Sequence, residues 1–122
     1  MHYQHLSNFI NTRIRKNDTF IPGMILFLVK NNGKGTKEQI SRLLYIFEFK
    51  YELSHYDTIV EKFAATLLKE YNIIYEKNDT YHLITWPLDD NQIFEITKQC
   101  MIVSNGLFSH LQHNEKKLKE AS

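Results

Sequence analysis

Cysteine is almost absent from this sequence, because Cys100 is the only one. A single cysteine excludes an intramolecular disulfide and a cysteine-rich zinc site, and it is typical of proteins in a reducing, intracellular setting. We expect Cys100 to be a small buried apolar residue and not a nucleophile.

Long apolar runs are also missing. The longest, Met24 to Val29, is far shorter than the roughly 20 residues that a membrane-spanning helix needs. The first residues, Met1 to Leu6, lack the basic-then-apolar plan of a secretory signal peptide. We therefore expect a soluble, cytoplasmic protein with no membrane partner.

Neither sign of charge is in excess, since 15 Lys and Arg stand against 14 Asp and Glu, for a formal net charge of +1. This balance argues against a strongly basic nucleic-acid-binding protein, because phosphate contacts usually leave a positive surplus. It leaves room for a local basic patch. The length of 122 residues and the apolar fraction of 43% indicate one domain with a modest core and an added arm.

Helical periodicity dominates the first part of the chain. Apolar residues at helical spacing predict a helix over about residues 3–16 and a short apolar helix over 24–30. Pro22 is at a position that a first helical turn tolerates. The stretch 31–35 contains two Asn and two Gly and predicts a turn.

Two expected N-caps divide the middle of the chain. Thr36 with Gln39 three residues later is a capping-box pattern, and Ser54 is a second good N-cap residue. The helix after Thr36 carries apolar residues on one face. After Ser54 the helical period lasts for about four turns, up to Tyr71.

The period then changes to that of β-strands. Residues 73–77 and 80–84 are β-prone and are separated by the turn pair Asn78-Asp79, which predicts a hairpin. A last helix begins at Asp89 or Asp90. Its predicted apolar stripe comprises Ile93, Ile96, Cys100, Val103, Leu107, Phe108 and Leu111.

This order of elements predicts a mainly α fold with a small β-hairpin, namely a winged helix-turn-helix with extra N- and C-terminal helices. Two consecutive helices with a short joint form the helix-turn-helix, and the hairpin closes the core as the wing. We expect one domain, with an N-terminal helical arm over residues 1–21, the winged-helix core over 22–86 and a C-terminal helix over 87–122.

Five stretches carry a resemblance to a known class of module: Met24 to Gly33, Thr36 to Ile40, His55-Tyr56-Asp57, Leu68 to Ile74 and Asn78 to Leu83. Together they resemble the winged-helix modules of bacterial restriction and HNH-type endonucleases, over roughly half of the chain. The resemblance implies DNA binding. In those relatives the middle of the third helix tends to be basic and to contain Pro-Gly, whereas this chain has Glu61-Lys62-Phe63-Ala64-Ala65 there.

A helix-turn-helix places its second helix in the major groove, where the early exposed residues meet base edges and phosphates. On this helix Asp57 and Glu61 would repel phosphates, so a solvated helix face of mixed charge is the alternative. The candidate contacts on it are His55, Thr58, Lys62, Thr66 and Lys69.

The turn before the capped helix concentrates basic residues at a helix N-terminus, which attracts anions. The candidate contacts there are Lys30, Lys34, Thr36, Lys37 and Arg42, and on the wing they are Lys77 and Asn78. The alternatives are a solvated turn that only caps a helix and a plain hairpin turn. Arg13, Arg15 and Lys16 form a further basic cluster, which charged helix ends often have for structural reasons.

The sequence predicts no catalytic centre and no cofactor. His2 and His5, like His110 and His113, are three residues apart, but a zinc site needs three or four ligands and no HExxH or CxxC motif accompanies them. No Ser-His-Asp order and no phosphate-binding GxxxxGK loop is present. We therefore expect neither a metal nor an enzymatic activity.

Two apolar features of the sequence are each compatible with two structural roles. The C-terminal stripe is longer than a minimal domain requires, so it packs either on the N-terminal helix or, as we favour, on a second copy in a two-fold dimer. Tyr45, Phe47, Phe49 and Tyr51 alternate along the chain. They provide either a stacking surface for single strands or, as we favour, core and interface packing.

The leading hypothesis is a double-stranded-DNA-binding winged helix that acts as a transcription regulator or as the recognition part of a restriction or phage-related system. The alternative is a protein-binding winged helix, such as a phage inhibitor or assembly adaptor, without DNA binding. A steep salt dependence would distinguish duplex binding. A third interpretation, a fragment of a larger nuclease, would place catalysis outside these residues.

Overall fold

A computed structural model describes residues 2–14 and 20–104. Helix α1 spans His2–Arg13 and helix α2 spans Phe20–Lys30. The prediction of two N-terminal helices is confirmed. Helix α2 begins at Phe20, four residues before Met24, and Pro22 lies in its first turn, as predicted. Almost every residue of α2 is buried, so this apolar helix lies at the centre of the molecule. Arg15 and Lys16 of the predicted basic cluster lie outside the described residues.

Helix α3, Lys37–Glu48, begins at the predicted capping box. The Thr36 hydroxyl accepts a hydrogen bond from the Gln39 backbone N–H at 3.2 Å, and the Gln39 side-chain oxygen accepts one from the Thr36 N–H at 3.0 Å. These bonds satisfy two donors that a helix start otherwise leaves unpaired. The helix ends at Phe49, which has a left-handed backbone with φ of 51°.

The next three segments form one continuous helix, which we call the long helix: α4 over Leu53–Ile59, a π turn over Val60–Ala64 and α5 over Ala65–Glu70. The prediction of Ser54 as its N-cap is wrong, because the helix begins one residue earlier, at Leu53. The loop that leads into the long helix is held by a buried side chain instead of an N-cap. The buried Tyr56 hydroxyl accepts hydrogen bonds from the backbone N–H groups of Lys50 and Tyr51, at 3.3 and 3.4 Å.

The π turn follows from the spacing of the buried side chains in the long helix. Tyr56, Val60, Ala64 and Leu68 are all fully buried and lie four residues apart. In a regular α-helix, residues at that spacing drift by about 40° around the axis at each step. The wider π turn, in which the Ala65 N–H bonds to the Val60 carbonyl, reverses part of this drift and keeps the stripe against the core.

The chain forms a small antiparallel sheet, with strands β1 over Lys34–Thr36, β2 over Ile74–Lys77 and β3 over Thr80–Leu83. The order in the sheet is β1-β3-β2. The predicted hairpin is confirmed, and both residues of its turn, Asn78 and Asp79, have positive φ as a tight two-residue turn requires. Strand β1, in a stretch where the sequence predicts only a turn, adds a third strand.

Helix α6, Asp90–Val103, packs on α2 and α1 of the same chain. It begins at Asp90, as predicted, and Asp89 caps this start in a second capping box with Gln92. Ile96 and Cys100 of the predicted stripe are fully buried in this contact. The described part of the stripe is therefore covered within the chain, and the dimer stays a prediction. Leu107, Phe108 and Leu111 lie outside the described residues.

Candidate nucleic-acid interface

A groove of about 820 Å³ runs between the start of α3, the exposed side of the long helix and the β2–β3 hairpin. We call it the helix–hairpin groove. Three separate parts of the chain supply its walls. The lining residues are Thr36, Lys37, Glu38, Glu61, Lys62, Thr66, Lys69, Glu76, Asn78, Asp79 and Tyr81.

Half of the predicted DNA contacts converge on this groove. The three on the long helix share one face because they are spaced by four and three residues, which is the spacing of helical neighbours. The predicted residues that line the groove are Thr36, Lys37, Lys62, Thr66, Lys69 and Asn78.

Two of the three lysines in the groove form ion pairs with carboxylates. The Lys37 ammonium lies 3.4 Å from the Glu61 carboxylate, and the Lys69 ammonium lies 2.5 Å from that of Glu76. The charge of Glu61 and its hydrogen bond to Lys37 raise the pKa of Lys37. All four side chains are a third or more exposed, so each pair stabilises the fold by only about 0–1 kcal/mol.

The groove is slightly acidic as a whole, since its three lysines face four carboxylates, those of Glu38, Glu61, Glu76 and Asp79. Lys62 has no ion pair among the described residues. Repulsion at Glu61 is expected from the sequence, whereas the place of Glu76 in the groove follows only once the two-residue hairpin turn is taken into account. A two-residue turn at 78–79 sets Glu76 opposite Tyr81, on the same side of the sheet as buried Leu83.

Tyr81 forms part of the groove wall with its side chain almost fully buried. The Lys69 ammonium lies 5.6 Å from the centre of its ring. Burial, together with the nearby charge of Glu76, raises the pKa of Tyr81 to about 12. The tyrosine is therefore neutral at physiological pH.

Two predicted lysines lie on the other side of the sheet. Strand register places Lys34 beside His82 and Lys77 beside Thr80, in rows that alternate with the buried rows of Tyr81 and Leu83. Because successive side chains of a strand point to opposite faces, Lys34 and Lys77 face away from the helix–hairpin groove.

The other four predicted contacts also lie outside the groove. Lys30 is at the end of α2, and Arg42 is exposed on α3. Thr58 donates its hydroxyl hydrogen to the Ser54 carbonyl at 3.2 Å, and the ring of His55 packs on Tyr51 with 4.4 Å between ring centres. The twelve predicted residues thus do not form one surface.

Exposed apolar side chains cluster where α3 meets the long helix, and we call this cluster the aromatic surface. Ile46, Phe49, Tyr51 and Leu53 expose 61%, 72%, 49% and 38% of their area. Ring contacts join it to the core, since Tyr45 lies 5.1 Å from Phe49 and 5.9 Å from Tyr56 between ring centres. Of the aromatic residues that alternate in the sequence, Tyr45 lies in α3 and packs on Tyr56, whereas Phe49 and Tyr51 follow the helix and are exposed.

No group of three or more His, Cys, Asp or Glu side chains is arranged to hold a metal in the part of the chain that the structure describes. The ring of His5 lies within hydrogen-bond distance of the Tyr71 carbonyl, at 2.6 Å. Burial raises the pKa of the Cys100 thiol to about 12, so it is not a ready nucleophile. His110 and His113 lie outside the described residues.

Comparisons with protein-family models, with curated proteins and with solved structures returned no match for this chain. Among the described helices none combines the length and the apolar character that a membrane span would need.

Proposed function

We propose that residues 22–86 form a winged helix-turn-helix and that the protein binds double-stranded DNA in the cytoplasm. It would act as a regulator or as the recognition part of a restriction or phage-related system. The succession of α2, β1, α3, the long helix and the β2–β3 hairpin supports this assignment. So does the sheet order β1-β3-β2, which attaches the hairpin to the strand that precedes α3.

The observation that carries the proposal is the convergence of six predicted contacts on the helix–hairpin groove. A duplex along this groove would meet the N-terminus of α3, the exposed face of the long helix and the hairpin turn. The helix of a helix-turn-helix that follows the turn enters the major groove. Lys62 and Thr66 lie at the middle of that face, where base edges and phosphates are within reach of a side chain.

Two properties make the groove carboxylates compatible with binding to a DNA duplex. Exposed ion pairs are weak, so a phosphate can displace Glu61 from Lys37 at a cost of only about 0–1 kcal/mol. A carboxylate that remains in the major groove can accept a hydrogen bond from the amino group of cytosine. Glu61 would then contribute sequence preference, and the lysines would contribute affinity.

The test is a binding titration with a labelled mixed-sequence duplex of about 20 base pairs, between about 50 and 200 mM salt. Affinity should fall steeply with salt. Lys62→Gln should weaken binding and lower the slope of log affinity against log salt by about 1. Lys98→Gln is the matched control, because Lys98 is exposed on α6, away from the groove.

Lys98→Gln should leave both the affinity and the salt slope unchanged. If the wild-type protein does not bind the duplex at about 50 mM salt, the DNA-binding proposal is wrong. An equal loss in the two variants would mean that binding depends on total charge and not on the groove.

The second candidate is a protein-binding winged helix without DNA binding. It is favoured by the aromatic surface, since contiguous exposed apolar side chains on a soluble domain commonly mark a protein interface. The acidic excess of the groove supports it as well. A complex made by this surface should persist at high salt, whereas a duplex complex should dissociate.

A further inference from the structure

The face of the sheet that points away from the helix–hairpin groove carries a second constellation of side chains. We call it the outer sheet face, and it comprises Lys34, Tyr75, Lys77 and His82. Register places His82 between Lys34 on β1 and Tyr75 on β2, in one row across the three strands. Lys77 belongs to the neighbouring row of the same face.

Tyr75 and His82 form a stacked pair on this face. Their ring centres are 4.9 Å apart and their planes differ by only 10°. This separation matches the distance of about 4.8 Å between neighbouring strands, so the ring of Tyr75 on β2 stacks on the ring of His82 directly across from it on β3. Strand β2 is at the edge of the sheet and Tyr75 is 48% exposed, which leaves its ring open to a further planar group.

The charge of the outer sheet face is positive. Lys34 and Lys77 are exposed and form no ion pair among the described residues. The carboxylates of the hairpin, Glu76 and Asp79, line the groove on the other side. The sheet thus separates its own charges, with the acidic groups towards the long helix and the lysines beside the stacked rings.

A second Tyr–His pair in the protein provides a contrast. Tyr51 packs on His55 with ring centres 4.4 Å apart, and the Lys50 ammonium lies 5.8 Å from the centre of the Tyr51 ring. The neighbouring residues there are acidic, since Glu52 adjoins Tyr51 and Glu48 precedes the same turn. An aromatic pair and a lysine are present at both places, but only the outer sheet face lacks carboxylates in its rows.

We propose that the outer sheet face binds single-stranded DNA. An unpaired base stacks on the open ring of Tyr75 and extends the Tyr75–His82 pair, while Lys34 and Lys77 contact the phosphates beside it. A base inside a duplex has no free face to offer, so the stacking requires a single strand. The site shares no residue with the groove proposed for duplex DNA and does not depend on that proposal.

The experiment measures fluorescence anisotropy of a labelled thymidine oligonucleotide of about 12 nucleotides at about 50 mM salt. The wild-type protein should bind it, and Tyr75→Ala should lower the affinity about tenfold, as loss of one stacked base does. Tyr75→Phe keeps the ring and should retain most of the affinity. Lys77→Gln should lower the salt slope by about 0.7, the value for one phosphate contact on a single strand.

Tyr51→Ala is the matched control and should leave the affinity unchanged. Lys62→Gln should do the same, because it changes only the groove, and this arm distinguishes the single-strand site from the proposed duplex site. Circular dichroism of each variant shows whether it is folded. The proposal is overturned if the wild-type protein does not bind the oligonucleotide, if Tyr75→Ala and Tyr75→Phe bind alike, or if a uridine oligonucleotide binds more tightly.

Discussion

Gly33 connects the central helix α2 to the sheet through both of its backbone groups. Its N–H donates to the Leu28 carbonyl at 2.7 Å, and its carbonyl accepts from the Leu83 N–H at 2.8 Å. The φ of 82° lies in the left-handed region, which glycine adopts at little cost. A Cβ at this position would overlap the ring of Trp86, so the indole packs directly on the glycine backbone.

We expect Gly33→Ala to lower the free energy of unfolding by about 1–3 kcal/mol, because alanine is strained at positive φ. Overlap with Trp86 should add to this strain. Asn32→Ala is the control, since Asn32 has a φ of 59° but is exposed. Urea unfolding followed by circular dichroism measures both variants. Equal midpoints for the two would show that the contact with Trp86 contributes nothing.

At the scale of single residues, the sequence predicts exposure well inside helices and poorly inside strands. Lys62, Thr66 and Lys69 share a face because helical spacing alone determines their direction. The side of the sheet on which Lys34 lies depends on its pairing with His82, nearly fifty positions away. No local pattern contains that pairing, so the sequence groups Lys34 with Lys37 although the two lie on different surfaces.

At the scale of elements, the two capping boxes are the most local features of the fold. In the second capping box, the Asp89 carboxylate accepts a hydrogen bond from the Gln92 N–H at 2.8 Å, and the Gln92 side-chain oxygen accepts one from the Asp89 N–H at 3.1 Å. All of these bonds lie within four consecutive residues. Helix starts of this kind can therefore be predicted from the sequence, as those of α3 and α6 are.

We expect Asp89→Ala to lower the free energy of unfolding by about 0.5–2 kcal/mol, because it removes the side-chain cap of α6. Asp90→Ala is the matched control. It removes an equal charge in the first turn, where only the weaker interaction with the helix dipole is lost. Urea unfolding of the two variants measures the difference, and an equal loss would assign the effect to charge and not to the cap.

Two elements could not be predicted because non-local packing creates them. Strand β1 has only three residues, and its central Gly35 lies so close to α2 that a Cβ would be 2.5 Å from the Phe27 ring. Glycine in a short polar stretch indicates a turn unless the neighbouring helix is known. The π turn likewise depends on which side of the long helix faces the core, and next to it the apolar Phe63 is 51% exposed.

At the scale of the whole molecule, the order of helices and strands is encoded along the chain, but the charge of its surfaces is not. Lys37 and Glu61 are 24 residues apart, and their pairing requires α3 to lie against the long helix. The sequence shows a net charge near zero and a cluster of lysines at the turn. Only the fold divides these charges between an acidic groove and a basic outer sheet face.

The burial of Cys100 makes the attachment of α6 measurable in the intact protein. The residue is fully buried in the helix that packs on α2 and α1. Burial raises the pKa of its thiol from 9.0 to about 12, and only the thiolate reacts with disulfide reagents. Because Cys100 is the only cysteine, every molecule that reacts reports on this one contact.

We expect the native protein to react with an aromatic disulfide reagent at pH 8 at least about a thousandfold more slowly than the protein in denaturant. The reason is that reaction requires an opening that costs about 5 kcal/mol or more if α6 detaches only on global unfolding.

Raising the pH should also destabilise the fold. Between pH 9 and 12 the unfolded state loses the thiol proton and the folded state keeps it, so the free energy of unfolding falls as pH rises through this window. Cys100→Ala should remove that part of the alkaline loss, and rapid labelling of the native protein would mean that α6 detaches from the core on its own.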